Sequence, residues 1–312
     1  MSNATPLPRR GLLKAGLAAS AAVLATTATA SAAPATAASA TTAPGSQLPG
    51  TTRELRALER KYGARLGVYA RNISTGQAVS HRAQERFAMC STFKAFAAAA
   101  VLRDHGHCAP LDKMIHYPPA DILPHSPITE QHVDTGMTVG DLCAATIRYS
   151  DNAAGNLLLR QLGGPPGLTR FFRSLGDPTS RLDRWEPELN TAIPGDLRDT
   201  TTPEAYGNGF ARLAVGRALN DAQRDRFIGW LKGNTTGDER IRAGVPDGWV
   251  VADKTGTGSY GVANDIGVVW TTKRTPLVLI VLTSKTTQDA PPSDGLIADA
   301  ARILARTLAP GE

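Results

Sequence analysis

Apolar and polar positions divide the chain into two ends that mix strands with helices and a middle that is helical. Residues 66–72 alternate in polarity as a half-buried strand does, whereas residues 277–283 form an apolar run typical of buried sheet. Strands are predicted at residues 66–72, 77–81, 249–254, 266–271 and 277–283. Amphipathic helices are predicted at residues 51–61 and 295–308.

The middle of the chain, residues 91–230, reads as helices joined by polar loops. Three helical stretches there begin at N-cap residues, which are Thr138, Thr202 and Asn220. We therefore expect an α/β (α+β) fold, in which helices flank a mostly antiparallel sheet and an all-helical lobe is inserted. The predicted α/β lobe covers residues 46–88 plus 234–312, the helical lobe covers residues 89–233, and the seam between them favours a cleft.

Residues 1–45 predict a signal peptide and leader rather than part of the fold. Arg9 and Arg10 form a twin-arginine pattern ahead of an apolar stretch, residues 15–25, that is too short to span a bilayer. Ala28-Thr29-Ala30 and Ala38-Ser39-Ala40 then offer cleavage sites for removal of the leader. The pattern predicts export by a Tat-type route and a mature protein without a membrane anchor; a disordered Ala-rich tail is the alternative.

The net charge and the cysteine spacing argue against a nucleic-acid partner, a metal site and a redox site. The 312 residues carry a formal net charge of +6, to which the leader contributes through Arg9, Arg10 and Lys14, and residues 1–40 hold no acid. No basic run with interleaved aromatics occurs, so a nucleic-acid partner is not expected. The three cysteines, Cys90, Cys108 and Cys143, have no zinc or redox spacing, and neither a metal nor a cofactor is expected. Buried free thiols and a Cys90–Cys143 bridge both stay open.

Four short motifs carry the candidate chemistry, and each lies at the end of a predicted element. Ser91-Thr92-Phe93-Lys94 places a hydroxyl and an amine on one face of a helix start, where a buried Lys of lowered pKa can accept the Ser proton. The others are Ser150-Asp151-Asn152, Glu186-Pro187-Glu188-Leu189-Asn190 and Lys254-Thr255-Gly256-Thr257-Gly258. Each motif alone is also explained as a helix cap, a loop or a hairpin turn, but their combination is not expected by chance.

On these motifs the sequence resembles a class A serine β-lactamase of the actinomycete type, from about Thr51 to the C-terminus. The resemblance implies a β-lactamase/transpeptidase-like fold and a secreted monomer. It also implies hydrolysis of the β-lactam amide of penicillins and cephalosporins, and hence antibiotic resistance. Cell-wall D-alanyl-D-alanine peptidases and β-lactam sensors are the rival functions; they share the Ser, Lys and K-T-G motifs but lack the acid at Glu186. The Glu186–Pro187 bond resembles one that is cis in this family.

The resemblance also implies residue roles. The implied catalytic residues are Ser91, Lys94, Ser150, Glu186 and Thr257. The implied substrate-binding residues are Asn152, Asn190, Lys254, Thr255, Gly256 and Arg240. Ser91 would attack the lactam carbonyl, with either Lys94 directly or Glu186 through a water as the base. Glu186 with Asn190 would hold the water that hydrolyses the ester.

Three further positions bear on the resemblance. Arg184 and Asp199 resemble a pair that closes the neck of an Ω-loop, with two solvated charges as the alternative. Arg240 is the implied second cation for the substrate carboxylate, and Arg242 is its competitor. His125 departs from the family, in which most relatives have Tyr or Trp at the mouth of the site.

Overall fold

The computed structural model describes residues 49–104 and 110–312. The predicted leader, with Arg9, Arg10 and both cleavage motifs, lies outside these residues, as does Cys108. No helix within the described ranges is both long enough and apolar enough to cross a bilayer.

The central sheet has five strands in the order β2-β1-β9-β8-β7, and all neighbouring strands are antiparallel. The strands are β1 (Arg65–Asn72), β2 (Ala78–His81), β3 (Phe87–Ala88), β4 (Met114–Ile115), β5 (Met137–Thr138), β6 (Thr200–Thr201), β7 (Val250–Gly258), β8 (Val262–Trp270) and β9 (Pro276–Ser284). The pairs β3–β6 and β4–β5 form separate two-stranded ladders. Strands of two residues are too short to leave a periodic pattern, so the sequence did not predict them.

The helices are α1 (Pro49–Tyr62), α2 (Phe93–Asp104), α3 (Val139–Arg148), α4 (Asn152–Gln161), α5 (Pro165–Ser174), α6 (Pro203–Ala214), α7 (Asp221–Lys232), α8 (Ile241–Gly244) and α9 (Asp294–Leu308). The three predicted N-caps are confirmed. Thr138 and Thr202 each accept a hydrogen bond from the backbone three residues on, and Asn220 forms a capping box with Gln223.

Two apolar cores lie on opposite faces of the sheet, because successive strand side chains point to opposite faces. Leu279 and Val281 pack with α1 and α9, whereas Ile280 and Leu282 pack with the helices of the middle segment. The predicted architecture, an antiparallel sheet flanked by helices, is confirmed. The lobe boundaries at residues 88/89 and 233/234 stay a prediction, and α6 of the middle segment packs against β9 and β1.

The K-T-G motif, Lys254-Thr255-Gly256, lies inside strand β7. The prediction that this strand ends at Lys254 was therefore wrong. Lys254 pairs with Ile266 and Gly258 pairs with Val262, so the ladder runs to the hairpin turn. Polar side chains do not end a strand whose backbone groups stay paired with a neighbour. This extension carries the motif along the sheet to the turn that holds Ser91.

Candidate active site

Ser91 lies in a 3-10 turn, Cys90–Thr92, that leads directly into α2. Cys90 has a φ of +45°, in the left-handed region that most residues avoid, and Thr92 Oγ1 donates to the Met89 carbonyl at 2.7 Å. These features fix the bend at the nucleophile candidate. Ser91 Oγ donates to Glu186 Oε1 at 3.1 Å.

Lys94, one turn further into α2, is completely buried. Its ammonium group lies near four oxygens, which are Ser150 O and Asn152 Oδ1 at 2.6 Å, Glu186 Oε1 at 3.0 Å and Ser150 Oγ at 3.5 Å. Burial lowers the pKa of Lys94, while the Glu186 carboxylate acts in the opposite direction. The net effect of these surroundings is a Lys94 pKa below its ordinary value.

The break between α3 and α4 presents Ser150. Its φ is +56°, and Asp151 next to it caps α4 by accepting from Ala154 N at 2.9 Å. Asp151 also accepts from the backbone N–H groups of Ile128 and Thr129, at 3.0 and 2.9 Å. Asp151 thus joins this break to a neighbouring loop, a positioning role that the sequence reasoning missed.

Lys254 approaches Ser150 from the sheet side. Its Nζ donates to Ser150 Oγ at 3.0 Å and to Thr255 O at 2.8 Å. Burial, followed by the positive charge of Lys94, holds the pKa of Lys254 well below its ordinary value. Two buried lysines thus flank one serine hydroxyl, where either can take or return a proton.

Glu186 is fixed through both its backbone and its side chain. Its N–H donates to Asn156 Oδ1 at 3.0 Å, and its carbonyl accepts from Asn156 Nδ2 at 2.9 Å. Its Oε2 accepts from Asn190 Nδ2, and the Glu186–Pro187 peptide bond is cis, as the resemblance implied. Asn156 was missed by the sequence reasoning, because nothing local marks an Asn in α4 as a partner of a distant loop.

The segment that carries Glu186 is closed by the pair predicted from the sequence. Arg184 Nε donates to Asp199 Oδ2 at 2.6 Å, and Asp199 is completely buried. Asp199 Oδ1 also accepts from the backbone N–H groups of Asp183 and Arg184, at 2.7 and 2.9 Å. The pair is thus a structural tie and not two solvated charges.

The K-T-G strand passes close to the Ser91 turn. A Cβ at Gly256 would lie 2.9 Å from Met89 O and 3.1 Å from Thr92 N, so a side chain there would push the strand off the turn. Thr255 Oγ1 forms a hydrogen bond with Thr236 Oγ1. The next hydroxyl, Thr257 Oγ1, is exposed and accepts from Arg240 Nη2 at 2.8 Å.

Arg240 and Arg242 differ in their surroundings. Arg240 also donates to the carbonyls of Gly256 and Asn264, at 3.0 and 2.7 Å, and so borders the K-T-G strand. Its Nε also donates to the carboxylate of Asp294 at 2.8 Å, whereas Arg242 binds the buried carboxylate of Asp253 through two nitrogens at 2.9 and 2.7 Å. Arg242 is therefore held away from the Thr257 hydroxyl.

Other residues singled out from the sequence lie around or beneath this cluster. His125 is exposed, with a φ of +61°, and its Nε2 lies 3.1 Å from Tyr149 O. Cys90 and Cys143 are buried free thiols, so the bridge between them does not form here. Within residues 49–104 and 110–312, no group of three or more His, Cys, Asp or Glu side chains is placed to hold a metal ion.

The motifs thus converge on one continuous chain of polar contacts. It runs from Ser91 Oγ to Glu186, Lys94, Ser150 and Lys254, with successive separations of 3.1, 3.0, 3.5 and 3.0 Å. Such a chain can move a proton from the Ser91 hydroxyl toward an atom near Ser150. An activated serine beside a proton relay is the arrangement expected of an acyl-transfer enzyme.

Comparisons with known proteins agree with this arrangement. Residues 50–308 match the model of the β-lactamase enzyme family. The chain is 55% identical to the carbapenem-hydrolyzing β-lactamase KPC of Klebsiella oxytoca, over 79% of this chain and 85% of that protein. The solved β-lactamase of Streptomyces albus G has a TM-score of 0.81 and 52% identity, over 83% of this chain and 99% of that one.

A solved class A β-lactamase of the last common ancestor of Gram-negative bacteria has a TM-score of 0.80 and 49% identity, over 83% of this chain and 99% of that one. The chain belongs to the β-lactamase enzyme family. Within that family it is a class A β-lactamase, a hydrolase of β-lactams.

Proposed function

We propose that this β-lactamase opens the amide of penicillins and cephalosporins through an ester on Ser91. The observation that carries the proposal is the unbroken contact chain from the Ser91 hydroxyl through Glu186 and Lys94 to Ser150 and Lys254. Ser91 Oγ attacks the lactam carbonyl carbon, and its proton passes either to Lys94 or to Glu186, whose Oε1 it already contacts. The backbone N–H groups of Ser91 and Thr257 are the proposed oxyanion donors.

Collapse of the tetrahedral intermediate breaks the carbon–nitrogen bond, and the departing nitrogen needs a proton. Ser150 is the proposed donor, since its hydroxyl lies between Lys94 and Lys254, which resupply that proton. The lowered pKa values of both lysines make this transfer less costly than from ordinary ammonium groups.

Substrate binding is proposed to use the polar edge of β7. Lys254, Thr255 and Thr257 present one cation and two hydroxyls, and Arg240 adds a guanidinium beside Thr257. A carboxylate is the group that this set recognises. Asn152, whose amide donates to Pro124 O at 2.8 Å, is the proposed contact for the side chain of the drug, and Gly256 allows the close approach of the strand.

Deacylation is proposed to run through Glu186 and Asn190. Asn190 Oδ1 is buried and has no hydrogen-bond partner among the described residues, so it can accept from a water held against the Glu186 carboxylate. Glu186 takes a proton from that water, the hydroxide attacks the ester carbonyl, and Ser91 leaves with the returned proton. A peptidase or a sensor has no need of this acid, so the pair favours hydrolysis over both rivals.

The test compares Glu186→Ala with Glu188→Ala, since Glu188 is an exposed acid on the same segment. The Glu186 charge raises the pKa of Lys94, so its removal lowers that pKa and favours the neutral amine. The neutral amine can take the Ser91 proton, so acylation keeps a route through Lys94. Deacylation loses its base and slows by about 10²–10⁴-fold. Intact-protein mass spectrometry after benzylpenicillin should therefore find a lasting adduct on Ser91 in Glu186→Ala only. Rapid loss of that adduct, or a trapped adduct in Glu188→Ala, contradicts the assignment.

We further propose that the mature protein is a secreted monomer without a membrane anchor, and that Arg9-Arg10 directs its export by a Tat-type route. The twin-arginine pattern and the short apolar stretch behind it support the route of export. Its proposed partner is the small-molecule β-lactam, with no nucleic acid involved.

A further inference from the structure

A cavity of about 730 Å³ lies beside residues 192–198, a part of the Ω-loop that Arg184 and Asp199 close, and Glu186 is not among its lining residues. One wall is the loop segment of residues 192–198, and the others are the C-terminal end of α1, the start of β1, and β3 with residues 284–286. Its volume falls within the range of small-molecule sites in proteins. None of the proposed catalytic or substrate-binding residues lines it.

The apolar part of this cavity is unusual for a free surface. Ile193 and Leu197 belong to its wall and are 46% and 55% exposed, and they are two of the six large apolar side chains left exposed in the described residues. Phe87, Val262 and Ala64 continue the same apolar lining. Phe87, Val262 and Ala64 are themselves buried, and the Arg65 guanidinium lies 3.9 Å from the centre of the Phe87 ring. The apolar surface that stays exposed is therefore that of Ile193 and Leu197, and an apolar ligand would stabilise it.

The charged part of the lining is positive. Six cationic side chains line the cavity, against two acidic ones, Glu59 and Asp196. Both acids are already neutralised, Glu59 by Arg82 at 2.7 Å and Asp196 by Arg198 at 2.7 Å. Among the described residues no carboxylate lies within ion-pair distance of Arg60, Arg86 or Lys285.

We propose that this cavity binds a single-chain amphiphilic anion, a free carboxylate with an alkyl tail. The tail lies against Ile193 and Leu197, and the carboxylate is bound by the lining cations that have no carboxylate partner among the described residues. Two independent features of the same cavity, uncovered apolar side chains and uncompensated positive charge, point to this chemistry. The site goes beyond the hydrolysis of β-lactams.

The experiment is a calorimetric titration of the purified mature protein with decanoate below its micellar concentration. Decan-1-ol supplies the tail without the charge, and butyrate supplies the charge with little tail. Decanoate should bind with one-to-one stoichiometry and at least about tenfold more tightly than either. Hydrogen exchange with decanoate present should slow at the amides of residues 192–198. Equal binding of decan-1-ol, no saturable binding of decanoate, or protection elsewhere only would overturn the proposal.

Substitutions in the cavity lining test where the carboxylate and the alkyl tail of the ligand bind. Arg60→Gln with Lys285→Gln removes two cations that have no carboxylate partner among the described residues, and neither is buried. The double variant should weaken decanoate binding by about tenfold. Leu197→Asp places an acid against the tail and should abolish saturable binding. Arg56→Gln is the matched control, because Arg56 is an exposed cation on α1 outside the lining. Unchanged binding in the double variant, or equal weakening in Arg56→Gln, would also overturn the proposal.

Discussion

Arg240 and Arg242 are two positions apart, yet their guanidinium groups serve different contacts. Arg240 Nη2 is bound to the exposed Thr257 hydroxyl, whereas Arg242 compensates the buried Asp253. Arg240→Ala should raise the KM for penicillins by about tenfold to a hundredfold, because a charge-assisted contact is worth about 1.5–3 kcal/mol. It should also weaken inactivation by clavulanate-type inhibitors, as steady-state and inactivation kinetics can measure.

Arg242→Ala is the control for that substitution. It leaves the Asp253 carboxylate without its guanidinium partner, so it should lower the free energy of unfolding by about 1–3 kcal/mol, as denaturant titration can measure. Its KM should change little. If Arg242→Ala raised the KM more than Arg240→Ala did, the carboxylate-binding cation would have been assigned to the wrong residue.

Asp265, in β8, is a second buried acid beside β7, and no cation among the described residues lies within ion-pair distance of it. One oxygen accepts from Ile241 N at 3.1 Å, while the other has no hydrogen-bond partner among the described residues. Burial, followed by the nearby Asp253, raises the pKa of Asp265 well above its ordinary value. The folded state therefore binds more protons than the unfolded state between the two pKa values, so stability falls as pH rises through that window.

Asp265→Asn removes this loss and keeps an oxygen for Ile241 N. The variant should gain stability relative to the parent at pH 7.5, and the gain should shrink toward pH 4, as urea titrations at both values can measure. Asp289→Asn, at an exposed acid, should differ little from the parent at either pH. A gain that is larger at pH 4 than at pH 7.5 would contradict the raised pKa.

The sequence alone identified the candidate residues that belong to short local motifs. Ser91 with Lys94, and Lys254 with Thr255, lie within one element, so helix and strand geometry alone places them near each other. Asn156 could not be found in this way. Its bonds to Glu186 depend on where α4 meets a loop thirty positions later, and no periodic pattern records such a meeting.

At the scale of elements, the predicted helices and strands came from periodicity and caps, which are local, and their ends were less well predicted. Strand β7 continues beyond Lys254 because β8 supplies hydrogen-bond partners for its backbone. The end of β7 therefore depends on both strands and cannot be predicted from the sequence of β7 alone. The strands β3 and β6 exist only because the Ω-loop segment returns beside the Ser91 turn. Pairing between strands that are far apart in the chain is thus the part of the fold that local sequence patterns did not predict.

The ion pair between Arg184 and Asp199 should stabilise the Ω-loop, and a substitution at Asp199 can test this. Asp199→Asn should replace the charge-assisted contacts of Arg184 by neutral ones and lower the free energy of unfolding by about 1–3 kcal/mol. It should slow deacylation more than acylation, because Glu186 lies in the loop that the pair closes. Rapid-quench kinetics with benzylpenicillin separate the two steps.

The matched variant is Arg198→Gln, which breaks an ion pair on the same loop whose arginine is 51% exposed. It should change neither stability nor either rate by more than about twofold, since exposed pairs contribute little. Equal slowing of acylation and deacylation in Asp199→Asn would contradict a role confined to the loop.

At the scale of the whole molecule, the site draws on distant parts of one chain. Ser91 and Lys94 lie before the middle helices, Glu186 lies after them, and Lys254 comes from the C-terminal strands. All of these residues, and all contacts between them, belong to the described part of the chain and involve no leader residue. If residues 1–45 are the leader proposed above, residues 49–312 should become catalytically active by folding before that leader is removed.

Export offers a test that uses this independence. Arg9→Lys with Arg10→Lys keeps both positive charges but removes the twin-arginine pattern, so the precursor should stay in the cytoplasm. Because every proposed site residue lies in the described part of the chain, the retained precursor should hydrolyse a chromogenic cephalosporin in the cytoplasmic fraction. Arg53→Lys with Arg56→Lys, at two exposed positions of α1, is the matched control and should be secreted as the parent is. Normal secretion of the Arg9/Arg10 variant would point to export in an unfolded state, and an inactive retained precursor would mean that the leader interferes with the fold.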